Sequence, residues 1–271
     1  MKTTLKAKML LLCSLLFFVA GCSTVPITGR KQFNLVPDSI INSMSLQSYN
    51  DFLAQNKLSD NKQQSDMVLR VGSRIQHAVE QYSAEYGLDL EGYQWEFNLV
   101  VDDQVNAWAM PGGKVVVYTG LLPITQDDTG LAVVMGHEIA HAIAKHGGER
   151  MSQGLIVQMG GIALSEALQN RPVETQQLFM QAYGLGAEVG VLLPYSRKHE
   201  SEADHLGLIF MALAGYDPNA AVGFWERMAA LNEGAAPPEL LSTHPSDSRR
   251  IRDLKALIPD AMKYYRQPVD K

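Results

Sequence analysis

Cysteine is almost absent from this 271-residue chain, which contains only Cys13 and Cys22. Both lie within the first 22 residues, so we expect neither a disulfide nor a thiol nucleophile in the rest. Basic residues are not in excess either, because 23 Lys and Arg stand against 29 Asp and Glu, without a basic cluster. Nucleic acid is therefore not an expected partner. No internal repeat is visible.

The N-terminus has the pattern of an export signal. Lys2, Lys6 and Lys8 precede an apolar stretch at 9–20, which is too short for a comfortable membrane span. The stretch ends in Val-Ala-Gly-Cys22, which resembles a bacterial lipobox, where cleavage before the cysteine leaves it to carry a lipid. Ser23 follows, and the resemblance then implies a lipid anchor in the inner leaflet of the outer membrane, facing the periplasm. The alternative is an ordinary signal peptide with an incidental cysteine.

An H-E-x-x-H pattern, formed by His137, Glu138 and His141, lies in an apolar run at 131–148 that reads as one helix. Residues four apart on a helix differ by about 40° in direction and about 6 Å along the axis, so both imidazoles can bind one metal ion. Glu138 is then placed to take a proton from water. The alternative is a chance pattern in a buried helix. Asp127 and Asp128 suit the helix start, and Gly147-Gly148 suits its end.

A third metal ligand is expected from a second predicted helix, at about 197–214. Glu200 and Asp204 are four residues apart on one face of it. Glu200 can bind the metal, and Asp204 can accept a hydrogen bond from the outer nitrogen of a ligand histidine, fixing its tautomer. Glu202 points away from that face, so we prefer Glu200. His146 lies about 140° around the first helix from His141 and is not expected to be a ligand.

The remaining pattern predicts an α+β fold that is mainly helical. Helices are expected from Asp38 onward and at 66–86. Alternation at 94–101 predicts a strand, and a hairpin is expected from 105–110 and 114–119. An edge strand beside the metal helix could hold an extended substrate by strand addition. The candidate consists of Asn106, Ala107, Trp108 and Ala109, and the alternative is an ordinary paired strand.

Residues 151–194 are rich in Gly, Ala, Leu and Met. One interpretation is a pair of core helices. The other is a mobile apolar cover, in which flexible methionines give an adaptable surface for unfolded polypeptide.

These motifs together resemble the HtpX-like and CAAX-prenyl-protease-type zinc metallopeptidases, and most closely the LoiP-, BepA- and Oma-like branch. The resemblance implies a gluzincin-type domain with one zinc ion per chain, bound by His137, His141 and Glu200, with Glu138 as general base. The matching motifs are Asn106-Ala107, Pro111-Gly112-Gly113, Gly120-Leu121-Leu122, the H-E-x-x-H with His146 and Glu149-Arg150, Ser196-Arg197, the E-x-x-A-D from Glu200 to Asp204, Thr243-His244-Pro245 and Arg250-Ile251.

His244 lies where related proteins place a histidine loop near the zinc. It could stabilise the transition state, occupy the fourth metal position and keep the enzyme latent, or have no role. Tyr195 and Arg250 are lesser candidates.

The predicted domains are a signal peptide at 1–21, a lipid-anchored tether at 22–37 and a zinc metallopeptidase domain at 38–271. The expected function is a zinc endopeptidase that degrades misfolded or unassembled envelope proteins, with unfolded polypeptides as substrates and outer-membrane protein assembly machinery as a possible partner. The rival is a chaperone-like assembly factor for outer-membrane proteins with little proteolysis. A prenyl-protein processing enzyme is more distant, because such enzymes span the membrane several times.

Overall fold

The computed structural model describes residues 22–25, 28–188, 192–231, 240–241, 244 and 248–265. The predicted signal peptide and the side chain of Cys22 lie outside the described residues, and so do Thr243 and Pro245. Among the residues described, no helix combines the length and apolarity needed to cross a membrane.

Helices predominate, as the sequence predicts, and the described residues form two small sheets where the sequence predicts one. The strands are β1 (Cys22–Thr24), β2 (Lys31–Phe33), β3 (Glu96–Val100), β4 (Ala107–Met110) and β5 (Lys114–Tyr118). The α-helices are α1 (Asp38–Gln55), α2 (Lys62–Tyr86), α3 (Leu122–Thr125), α4 (Asp128–Ile143), α5 (His146–Leu168), α6 (Val173–Ala187), α7 (Leu193–Leu213), α8 (Ala220–Ala230) and α9 (Ser248–Ala261).

The chain divides into two compact units, and the first draws on Met1–Asp38 and Gly148–Pro194. In its described part, β1 and β2 pair antiparallel. Glu149 is buried and forms an ion pair with Arg30 at 2.8 Å. No residue of α6 is buried, although α6 carries large apolar side chains. The interpretation of 151–194 as core helices is therefore wrong for α6, and the interpretation as a mobile cover stays a prediction.

The second unit comprises Ser39–Gly147 and Tyr195–Lys271. Its sheet has the order β3-β5-β4, with β3 parallel and β4 antiparallel to β5. Every residue of β5 is buried, because helices and neighbouring strands cover it. The predicted strand and hairpin are thus confirmed, and β4 is an edge strand within the described residues. Helix α4 packs against β4 and against α2 and α8.

Helix α4, which carries the H-E-x-x-H pattern, begins where the sequence predicts. Asp127 is its N-cap, and the Asp127 carboxylate accepts a hydrogen bond from the Gly130 N–H at 2.8 Å. Its predicted end at Gly147-Gly148 is wrong. The helix ends at Ile143, and Lys145 adopts a φ of +57° that turns the chain before α5 begins. Lys145 gives no sequence signal for this turn, because non-glycine residues seldom adopt such a φ.

Two glycines allow α4 and α7 to touch through their backbones. A Cβ on Gly207 would lie 2.9 Å from both the N and the Cα atoms of His137, and a Cβ on Gly136 would lie 2.9 Å from the Gly207 carbonyl oxygen. Neither contact can relax by moving a side chain. This crossing fixes the distance between the helix that carries the two histidines and the helix that carries Glu200.

We therefore expect Gly207→Ala to separate the two helices, lowering stability by about 1–3 kcal/mol and weakening zinc binding. Thermal unfolding and competition for zinc with a chelator would measure both effects. Gly154→Ala is the matched control, since a Cβ there meets nothing within 4 Å. Its stability should be unchanged or slightly higher, because alanine favours a helix. Equal behaviour of the two variants would refute the role of the crossing.

Candidate metal centre

Four donor groups converge in the second unit, on the face of α4 that meets α7. His137, His141, Glu200 and His244 each offer one ligand atom, and these atoms all lie within 4.8 Å of one another. Helix α4 supplies two of the groups and α7 supplies Glu200, while His244 precedes α9 in the sequence. Three of the four residues are buried, and Glu200 is partly buried.

The spacing of these donors suits a zinc ion. Tetrahedral zinc with bonds of 2.0–2.1 Å requires ligand atoms about 3.3 Å apart. The Nε2 atoms of His137 and His141 are 3.1 Å apart. Glu200 oxygens lie 3.4 Å from His137 Nε2 and 3.3 Å from His141 Nε2. Two imidazoles and a carboxylate thus face one point, which is the type of donor set that zinc prefers.

Asp204 lies next to the outer nitrogen of His137. Its Oδ1 is 3.0 Å from His137 Nδ1. Arg250 donates two hydrogen bonds to the Asp204 carboxylate, at 2.6 and 2.9 Å, and its guanidinium carbon lies 3.5 Å from the centre of the Trp225 ring. Arg250 also donates a bond of 3.2 Å to the His244 carbonyl oxygen. Arg250 is thus a structural link between the His244 loop and Asp204.

A second polar pair lies behind His141, which the sequence analysis missed. His146 is fully buried, and its Nδ1 lies 2.8 Å from His141 Nδ1. Its Nε2 lies 2.9 Å from Glu202 Oε2. The prediction for His146 assumed a continuous helix, but the turn at Lys145 brings the ring back to α4. Glu202 does point away from the donor set, yet it is buried and bonded to His146 rather than exposed.

The buried groups shift one another's protonation. Burial lowers the pKa of His141 well below its usual value, which leaves a neutral imidazole able to bind a metal. Burial also opposes the charged form of His137, but hydrogen bonds to Asp204 and Glu200 raise its pKa to about 9. Burial disfavours the Glu200 carboxylate, yet the three neighbouring imidazoles hold its pKa well below the usual range. A metal must therefore compete with a proton at His137.

Glu138, the predicted base, points into the same space. It is buried, and its Oε1 has no hydrogen-bond partner within the described part of the chain. His244 Nε2 lies 3.4 Å from Glu138 Oε1. A buried carboxylate oxygen without a partner is costly, and a water molecule or a substrate amide would satisfy it.

His244 takes the fourth position of the donor set. Its Nδ1 lies 3.1 Å from His137 Nε2 and 2.8 Å from Glu200 Oε2. His244 therefore lies close enough to the other three donors to be a fourth ligand, and its role stays a prediction.

The fold and the donor set define a metal-dependent hydrolase of the H-E-x-x-H type. Comparison with known families identifies it further: residues 70–258 match the model of peptidase family M48, so the chain belongs to that family and is a zinc metalloendopeptidase.

The chain is 34% identical to the mitochondrial metalloendopeptidase OMA1 of Schizosaccharomyces pombe, over 90% of this chain and 69% of that protein. It is 29% identical to the Saccharomyces cerevisiae protein of the same name, over 94% and 74%. A putative beta-barrel assembly-enhancing protease of Vibrio cholerae is 34% identical over 58% of this chain and 33% of that protein.

These relatives contradict one prediction. The yeast proteins, which match at least 90% of this chain, are mitochondrial by name. The prediction of an outer-membrane lipoprotein facing the periplasm is therefore wrong on this comparison. It depended on a few residues around Cys22, whereas the relatives match most of the chain.

Proposed function

We propose that this protein cleaves unfolded or unassembled polypeptides, which it binds in extended form along β4. The observation that carries the proposal is an edge strand packed against the helix that bears the catalytic pattern. Such an edge can pair with any extended backbone, whatever its sequence. A folded chain cannot present an extended backbone segment for this pairing. Degradation of misfolded proteins would follow from that selectivity.

The chemistry follows from the placement of the side chains. His137, His141 and Glu200 would hold the zinc ion, which when bound supplies a Lewis acid that acidifies water and polarises a carbonyl group. Glu138 accepts a proton from the attacking water and delivers it to the leaving amine. Asp204 keeps His137 in the tautomer whose Nε2 is free to bind. The surrounding burial excludes bulk water and strengthens each of these interactions.

The register of β4 indicates which of its backbone groups would face a paired substrate. The Tyr118 N–H donates to the Asn106 carbonyl oxygen, so hydrogen-bonded pairing with β5 continues at every second residue, Trp108 included. Ala107 and Ala109 therefore direct their backbone groups to the open edge. The Asn106 side chain already accepts the Ala107 N–H at 2.9 Å. The Ala109 N–H and C=O are left as the main substrate contacts.

We expect Ala109→Pro to lower kcat/KM on unfolded casein about three- to tenfold, because it removes one hydrogen bond worth about 0.5–1.5 kcal/mol. Proline is tolerated on an edge strand when its missing N–H faces outward. Ala109→Val keeps the N–H and is the control. Thermal midpoints would show that both variants fold. Equal kcat/KM for the two variants would exclude substrate pairing at this edge.

A second candidate function is a binding or assembly factor with latent proteolysis. Two observations favour it: His244 lies in the donor set, and the Vibrio cholerae relative is named for assembly of beta-barrels. Such a protein would hold unassembled β-barrel chains and cut them only when His244 moves away.

Casein hydrolysis by the purified protein tests the first proposal. We expect one zinc ion per chain, hydrolysis that stops on chelation and returns with zinc, and products from internal cleavage. Binding of unfolded casein without any cleavage, in a protein that contains one zinc ion, would favour the assembly factor instead.

A further inference from the structure

We propose that Glu202 and His146 form a positioning pair that fixes the orientation and tautomer of His141. The inference rests on the proposed role of His141 as a zinc ligand. Two residues outside the H-E-x-x-H pattern would then contribute to zinc affinity.

The three side chains form one buried chain of contacts. Glu202 Oε2 lies 2.9 Å from His146 Nε2, and His146 Nδ1 lies 2.8 Å from His141 Nδ1. Glu202 is 6% exposed and His146 is not exposed at all. The His199 ring stacks on His146 at 4.3 Å and 18°, which restricts the rotation of that imidazole.

The two ends of this series of contacts, His141 and Glu202, determine where each ring proton lies. His141 directs Nε2 at Glu200 and at His137 Nε2, so that nitrogen is the metal donor and the ring proton must be on Nδ1. His146 Nδ1 then accepts that proton in a hydrogen bond, which places the proton of His146 on Nε2. A carboxylate can only accept hydrogen bonds, and Glu202 accepts the one that His146 Nε2–H donates. Reversing any one of these bonds would leave two lone pairs or two protons facing each other in a buried site.

The arrangement parallels the one at the other histidine. His137 is oriented directly by Asp204, whose carboxylate is held by Arg250. His141 is oriented by a carboxylate that acts through an imidazole. Both carboxylates come from α7, the helix that also carries Glu200. One helix therefore contributes a ligand, the carboxylate that orients His137 and the carboxylate that orients His141 through His146.

The turn between α4 and α5 makes this contact possible. On an uninterrupted helix, a residue five positions after His141 would lie about 140° away around the axis. Lys145, with its φ of +57°, ends α4 and redirects the chain, so His146 begins a new helix beside the ring of His141.

Zinc affinity, measured by competition with a chromophoric chelator, tests the proposal without using activity. We expect Glu202→Leu and His146→Phe to raise the zinc dissociation constant ten- to a hundredfold, the range typical for partners of a ligand histidine. His146→Phe keeps an aromatic ring against His199 but has no nitrogen. Glu202→Gln keeps an oxygen that accepts the His146 proton, so its dissociation constant should stay within about threefold of wild type.

Controls separate positioning from folding. Glu226→Leu removes a carboxylate from α8 that is 54% exposed, and should leave zinc affinity unchanged. A purely structural role would instead lower the thermal midpoint of the zinc-free Glu202→Leu and His146→Phe variants, with zinc affinity within twofold of wild type. That result would overturn the proposal. If Glu202→Leu does not fold, the contrast between His146→Phe and Glu202→Gln decides in the same way.

His141→Ala distinguishes failure of the positioning pair from failure of the proposed role of His141 as a zinc ligand. Loss of zinc binding in His141→Ala but not in His146→Phe or Glu202→Leu would refute the positioning pair alone. Unchanged zinc binding in His141→Ala would refute the ligand assignment and the positioning pair together.

Discussion

Replacing Glu138 by glutamine should reduce peptide hydrolysis about a thousandfold while the protein still binds one zinc ion. General acid–base catalysis contributes roughly 10²–10⁴-fold to such reactions, and an amide cannot take a proton from water. The substitution changes one atom and keeps the volume, so packing around the buried side chain is preserved. The steady-state rate on casein and the zinc content of the purified variant are the two measurements.

Glu80→Gln is the matched control, because it is the same substitution on an exposed face of α2, where the Glu80 carboxylate accepts a hydrogen bond from Gln76. It should hydrolyse casein at the wild-type rate. If Glu138→Gln retained more than a tenth of wild-type activity, Glu138 would not be the base. Loss of zinc along with activity would instead make Glu138 part of metal retention.

The sequence was sufficient to bring together the residues that share a helix face. His137 and His141 follow from a spacing of four, and Glu200 and Asp204 follow from the same spacing on α7. Helical periodicity is a local property, so the direction of each side chain could be predicted within its own helix. The distance between the two helices could not. It depends on the backbone contact at Gly207, which is a property of packing between segments about 70 residues apart in the chain.

The roles of residues that the sequence does not reveal share one physical cause. His146 was placed by extending α4 past its true end, and the turn at Lys145 has no glycine to mark it. Glu202 was judged only by its relation to the metal, although its partner is His146, 56 positions away. Trp225, which lies under Arg250, belongs to α8 and carries no local signal at all. In each case a tertiary contact decided the role of the residue.

His244→Ala should raise casein hydrolysis about tenfold at saturating zinc. Its Nδ1 lies 2.8 Å from Glu200 Oε2 and 3.1 Å from His137 Nε2, so the imidazole would compete with a water molecule for the zinc ion. Its Nε2 also lies 3.4 Å from Glu138 Oε1, so the ring occupies space next to the proposed base. If a preference of about 1.4 kcal/mol holds this closed arrangement, removing the ring increases the competent fraction about tenfold.

The direction of the change distinguishes the two roles of His244. If His244 instead stabilises the transition state, its replacement by alanine removes that hydrogen-bond donor. Hydrolysis should then fall by about 10²-fold or more, as for other oxyanion donors. His77→Ala, on an exposed face of α2, controls for loss of an imidazole. An unchanged rate in His244→Ala would exclude both roles. An increase would show that the chain holds its own inhibitor, since Arg250 ties the His244 carbonyl to the carboxylate that orients His137. Regulation and metal binding would then depend on the same guanidinium group.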